Sequence, residues 1–112
     1  MTGPAPDSDA VWAALADPTR RRLLDQLSTD GPLSATELAP AYRMSRQAVV
    51  KHLGALADAG LLVAQRRGRE VRYGLRPGSM TSATTWLQRV GDRWDRRLAA
   101  LEEQIRRSSE GG

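Results

Sequence analysis

The chain has 112 residues, enough for one domain with a modest core, and no cysteine, which excludes disulfides, thiolate metal sites and thiol catalysis. No apolar run approaches the ~20 residues of a membrane span and no charged-then-apolar leader opens the chain, so a soluble cytoplasmic protein is expected. The net charge is +4 and unevenly placed: residues 45–76 hold 7 basic and 2 acidic side chains, against 4 and 6 in residues 1–44 and 6 and 5 in residues 77–112, a mid-chain concentration of cations suited to nucleic acid.

Residues 1–7 are small, polar and Pro-containing and are expected to be disordered. A first helix starts near Ser8 or Asp9 and buries Val11, Trp12 and Leu15. Asp17-Pro18-Thr19 breaks it and starts a second, with Asp17 as cap and Pro18 at the first helical position. Leu23, Leu24 and Leu27 form its apolar stripe. Arg20, Arg21 and Arg22 occupy its first turn, where the helix dipole disfavours cations. They read as solvated side chains rather than phosphate contacts.

Asp30-Gly31-Pro32 is a turn. Ser34-Ala35-Thr36-Glu37 fits a capping box, with Glu37 three residues after the capping serine. A helix carrying Leu38 and Ala41 follows, short or distorted because Pro40 removes one of its few backbone bonds. After the tight connection Arg43-Met44, Ser45 caps the next helix. Two helical turns, a short connection and a second amphipathic helix have the spacing of a helix-turn-helix.

That second helix, ending at the Gly60 cap, organises the chain. At ~100° per residue, Val49, Leu53 and Leu56 share one face with His52 at its edge. Gln47, Val50, Lys51 and Gly54 lie opposite, flanked by Arg46. Glutamine suits adenine, lysine suits guanine and an apolar group suits the thymine methyl, so this outer face can read base edges in a major groove. The competing reading is a plain solvated helix face.

Residues 61–67 and 69–75 read as two strands joined at Gly68, with Val71, Tyr73 and Leu75 alternating against Glu70, Arg72 and Gly74. Arg66, Arg67 and Arg69 cluster at the tip. A charged edge that only blocks aggregation would not need several arginines, so the hairpin reads as a DNA-contacting wing. After Pro77-Gly78, a last helix begins at Ser79 or Ser82 and reaches about Arg107, leaving 108–112 as a disordered tail. Leu87, Val90, Trp94, Leu98, Leu101 and Ile105 make a helical seam that Trp86 widens. The domain is too small to cover it, so a partner helix is expected.

The whole is mainly α with a small β-hairpin: one winged helix-turn-helix domain over residues 8–107 with a long C-terminal dimerisation helix. It resembles the ArsR-type winged-helix transcriptional repressors. The matching residues are Ala14-Leu15-Ala16-Asp17-Pro18-Thr19-Arg20-Arg21-Arg22-Leu23-Leu24, Glu37-Leu38-Ala39, Met44 to Leu53, Leu56, Ala59-Gly60-Leu61, Arg67-Gly68-Arg69 and Tyr73-Gly74-Leu75-Arg76-Pro77. Ser-x-x-Ala-Val-x-Lys-His-Leu at 45–53 carries most of the weight. The resemblance implies a homodimeric bacterial regulator bound to operator DNA. Metal-sensing members carry cysteines where this chain has Leu33 to Leu38, or Asp and His ligands on the last helix, which here holds no histidine. The chain therefore looks like the metal-independent subgroup, whose last helix carries Trp-Leu and Trp-x-x-Arg-Leu-x-x-Leu-Glu. Val50 stands where many relatives have a small polar residue.

The residues expected at DNA are Ser45, Arg46, Gln47, Val50, Lys51, His52, Arg66, Arg67, Arg69 and Arg72. Those expected at the dimer seam are Trp12, Leu87, Val90, Trp94, Leu98, Leu101 and Ile105. The expected partners are double-stranded DNA and a second copy, with no membrane, metal or cofactor; no effector is identified. An RNA-binding or protein-interaction winged helix is the alternative. An enzyme is not expected, because one histidine and scattered carboxylates give no nucleophile or acid–base pair.

Overall fold

The structure, a computed structural model, describes residues 8–111. The expected disordered segment 1–7 and Gly112 lie outside the described residues. Helices α1 (Ser8–Leu15) and α2 (Pro18–Asp30) are followed by strand β1 (Leu33–Ser34) and helix α3 (Ala35–Leu38). A 3₁₀ turn (Ala39–Tyr42), helix α4 (Arg46–Asp58), strands β2 (Leu62–Arg67) and β3 (Glu70–Leu75), and helix α5 (Thr81–Gly111) complete the chain.

Each boundary has a local cause. Asp17 caps α2 by accepting from the backbone N–H groups of Thr19 (2.8 Å) and Arg20 (3.2 Å), and Pro18 supplies a first position that has no N–H to satisfy. Ser34 and Glu37 form the expected capping box, each accepting from the other's backbone N–H at 3.1 Å. As Pro40 dictates, α3 is a single turn that tightens into the 3₁₀ segment. Arg43 closes it in the left-handed region (φ 52°), and Ser45 caps α4 through the N–H of Ala48 at 3.1 Å.

The core lies where α2, α3 and α4 meet. Leu23, Leu24, Leu27, Leu38, Val49, Leu53, Leu56, Leu61 and Leu62 are all buried in it. Each fully buried leucine contributes about 1.5–3 kcal/mol by transfer from water. Val11 and Ala14 seat α1 on the same cluster.

The sheet has three strands rather than the two of a hairpin, in the order β1-β3-β2, all antiparallel. Leu33 pairs with Tyr73 and Ser34 with Arg72, so β1 ties the wing to the start of α3. β2 and β3 run from Leu62↔Leu75 out to Arg67↔Glu70 across a two-residue turn. Gly68 has φ +64° and Arg69 does not share a positive φ, the pattern of a type II′ turn whose first position favours glycine. Gly74 is small because Pro32 crosses it: a Cβ there would lie 3.2 Å from the proline ring.

The alternation on β3 does not produce a buried face. Of the three, Val71 and Leu75 are exposed and only Tyr73 is half-buried. Helix α5 also continues past the expected end at Arg107, through Ser108, Ser109 and Glu110 to Gly111. No proline interrupts this segment, and Glu103 pairs with both Arg106 (2.9 Å) and Arg107 (3.4 Å) one turn on. At 31 residues α5 is about 46 Å long and accounts for much of the 73 Å long axis of the molecule. Only Ala83 of α5 is buried.

Candidate nucleic-acid interface

The buried face of α4 fixes what its opposite face presents. Val49, Leu53 and Leu56 are fully buried, which turns Gln47 and Lys51 outward, both exposed, with Val50 and Gly54 half-buried beside them. Ser45 is exposed but its hydroxyl is occupied as the α4 cap. The exposed Arg46 donates from Nε to the Thr36 hydroxyl (3.2 Å), which joins the start of α4 to α3.

The wing stands beside this face. A groove of about 360 Å³ separates them, lined by Thr36, Arg46 and Val50 on one side and Arg67, Arg69 and Tyr73 on the other. Arg66, Arg67 and Arg69 are exposed at the tip. Arg72 is placed differently: half-buried, its guanidinium lies 3.5 Å from the Glu70 carboxylate and 4.0 Å from that of Glu37. That position braces β3 against α3. The Ser34 backbone N–H, followed by the Ser34 side chain and Arg72, holds the Glu37 carboxyl below its usual range.

His52 lies half-buried on the flank of α4 that faces α2. Its Nδ1 accepts a hydrogen bond from Arg20 Nε at 3.3 Å. This contact spans 32 residues and brings to the α4 surface a side chain that the local pattern assigned to solvent. None of the three arginines of α2 is merely solvated. Arg21 donates to the Leu15 carbonyl at 2.7 Å, tying α2 to the end of α1. Arg22 lies 4.7 Å from the centre of the Tyr42 ring, and the Tyr42 hydroxyl donates to Gln26 at 2.8 Å. Thr36 and Arg20 are the two surface residues that the sequence pattern left out. The only signal for Arg20 was its place in a triplet of cations where a helix dipole disfavours them.

The last helix carries the seam. Leu87, Trp94, Leu98, Leu101 and Ile105 are 41–64% exposed, with Trp94 the most open, and Val90 is half-buried. Trp12 is half-buried within the chain, its ring against Trp86 at the base of α5. Among the described residues no group of three or more His, Cys, Asp or Glu could hold a metal ion, and no helix is long and apolar enough to cross a membrane.

A helix-turn-helix with an arginine-tipped wing and an uncovered C-terminal helix defines the class of winged helix-turn-helix regulators. Residues 15–65 match the helix-turn-helix domain family. The chain is 38% identical over 103 residues to the HTH-type transcriptional regulator Rv2034 of Mycobacterium tuberculosis, spanning 92% of this chain and 91% of that protein. An ArsR-like transcriptional regulator from Rhodococcus sp. RHA1 has a similar structure, with a TM-score of 0.68 and 40% identity over 87% of this chain and 91% of that one. The homodimeric winged helix-turn-helix domain of Mb0332 from Mycobacterium bovis, a possible ArsR-family regulator, follows with a TM-score of 0.62 and 26% identity over 82% and 91% of the two chains. The chain belongs to the ArsR family of bacterial helix-turn-helix transcriptional regulators.

Proposed function

We propose that this regulator is a homodimer that binds an inverted repeat in double-stranded DNA and represses transcription by occupying it. The observation that carries the reading is the outward face of α4, where Gln47 and Lys51 stand exposed over a fully buried row of Val49, Leu53 and Leu56. A helix fixed that firmly can enter a major groove with its amide and ammonium towards base edges. Arg46 and Val50 line the side of that face towards the wing, and His52 the side towards α2. Arg66, Arg67 and Arg69 extend the contact to the flanking minor groove or phosphates, while Ser45 serves the α4 N-terminus and Arg72 the angle of the wing. Repression needs nothing beyond occupancy, whereas activation needs a further surface for the polymerase.

The seam supports the second copy. An apolar row from Leu87 to Ile105 that nothing among the described residues covers is stabilised by burial against its like, and a two-fold pair would set the α4 helices about 34–36 Å apart for successive major grooves. The winged helix-turn-helix domain of Mb0332 from Mycobacterium bovis is homodimeric. Metal independence rests on composition: the chain has no cysteine and a single histidine, too few soft or imidazole ligands for a zinc site. Such a protein works where its operator is, in the cytoplasm.

Footprinting and gel-shift assays on the DNA upstream of the gene test this reading. Salt-dependent protection of an inverted repeat is expected, with no shift of RNA of the same sequence and no release by micromolar zinc. A reporter fused to that DNA should rise when the gene is deleted. Binding to RNA instead would favour the alternative winged-helix reading. Tyr73, the aromatic of the sheet, is half-buried and paired with β1 and β2, so it offers little surface for stacking bases.

A further inference from the structure

We infer that Arg20 and His52 together form a seat for one DNA phosphate at the rim of the α4 face. The inference rests on α4 reading duplex DNA and adds a helix, α2, to the contacting surface. The Arg20 Nε–H donates to His52 Nδ1 at 3.3 Å, so Nδ1 must be unprotonated and the proton of the neutral ring sits on Nε2. The bond therefore selects the tautomer with a donor at the far edge of the imidazole. It uses only the inner nitrogen of the guanidinium. The two terminal nitrogens of Arg20 have no hydrogen-bond partner among the described residues, and both side chains are half-buried and so reach the surface.

The position selects phosphate over base. His52 follows Lys51 by one residue and lies ~100° round the helix from it, off the reading face and towards α2. Groups at the rim of a reading helix meet the sugar-phosphate backbone. Charge agrees: Asp17, the carboxylate beside the pair, is turned to its own helix, accepting from the N–H groups of Thr19 and Arg20 through Oδ1. The other two arginines of the triplet have structural partners, Leu15 and the Tyr42 ring. Arg20 is the one whose partner stands on the DNA side. A planar guanidinium offering paired donors suits a phosphate.

The test is a salt series with the full chain on operator and scrambled duplexes. Arg20→Gln should weaken both duplexes by the same factor and lower the slope of log affinity against log salt by about 0.9, the contribution of one phosphate. His52→Gln places an amide donor where Nε2 stood and should keep most of the affinity. His52→Asn can accept from Arg20 but is too short for the phosphate, and should weaken both duplexes. Long-range proton–nitrogen NMR of the unmutated chain should show the Nε2–H tautomer of His52, and the Arg20→Gln chain should show a mixture. An unchanged salt slope in Arg20→Gln, or an Nδ1–H tautomer in the unmutated chain, would overturn the seat while leaving the reading of α4 intact. Absence of salt-dependent duplex binding by the unmutated chain would overturn that reading and the seat with it.

Discussion

Trp12 and Trp86 meet edge to face, with ring centroids 6.0 Å apart and planes at 60°. The pair locks α1 to the base of α5, close to Ala83, the one buried residue of that long helix. Whatever α5 pairs with is thereby linked to the core that holds α4. Trp86→Ala should lower stability by about 2 kcal/mol, part lost burial and part lost ring contact. The denaturation midpoint reports it. An unchanged midpoint would show that α5 is not anchored through this pair.

Trp94, farther along, is 64% exposed in the single chain. Its truncation should therefore leave the fold of one subunit nearly untouched and act on association. Trp94→Ala should weaken the dimer by about 1.5–3 kcal/mol for each tryptophan uncovered, shifting the sedimentation profile towards monomer at micromolar concentration. An unmutated chain that sediments as a monomer there refutes the seam.

Reading and anchoring should separate by mutation. Gln47→Ala should cost about 1–3 kcal/mol on the operator and little on scrambled DNA. Arg69→Ala should weaken both equally and flatten the salt dependence by about 0.9. Equal losses for Gln47→Ala on the two duplexes would remove α4 as the reader. An unchanged salt slope for Arg69→Ala would remove the wing from the contact.

Two helix caps predict an acid dependence. The Asp17 carboxyl lies below its ordinary 3.8, held first by the Arg20 backbone N–H and then by that of Thr19. Glu37 lies below its ordinary 4.5, held chiefly by the Ser34 backbone N–H. A carboxyl whose folded pKa is depressed stabilises the fold above its unfolded pKa, and that contribution fades as the pH falls through it towards the folded value. Both caps should thus hold from neutrality down to about pH 5 and weaken below it. In the double variant Asp17→Asn, Glu37→Gln, stability between about pH 5 and 3 should fall less steeply than in the unmutated chain. Denaturant midpoints across that range check this; equal slopes in the two chains would show that neither cap is sensed.

The elements legible in the sequence are those whose cause is local. The leucine spacing of α2, the Ser34–Glu37 box, the weakness introduced by Pro40 and the Ser45 cap all act within a few residues. What the pattern hid depends on contacts between distant segments. β1 is two residues whose strand character comes from pairing with Tyr73 and Arg72, and Ser34 was already accounted for as a cap. Val71 and Leu75 alternate as a buried face should, yet both stay exposed. Arg20 reaches the α4 surface through a histidine 32 residues away. Arg72 looked like one more wing cation until Glu37 and Glu70 were placed around it. The fold of the candidate interface was therefore largely visible, and which of its arginines are held by partners within the chain was not.

Of the 17 basic side chains, 16 are arginines, and the single lysine is Lys51, exposed at the centre of the α4 face. Guanidinium groups do not react with mild acylating reagents, so amine-directed chemistry finds one side-chain target among the 112 residues. A label placed on that nitrogen replaces its positive charge with a neutral amide at the point where the helix would meet a base. The rate of reaction at this one atom, read by mass, then reports how open the Lys51 side of α4 is to solvent.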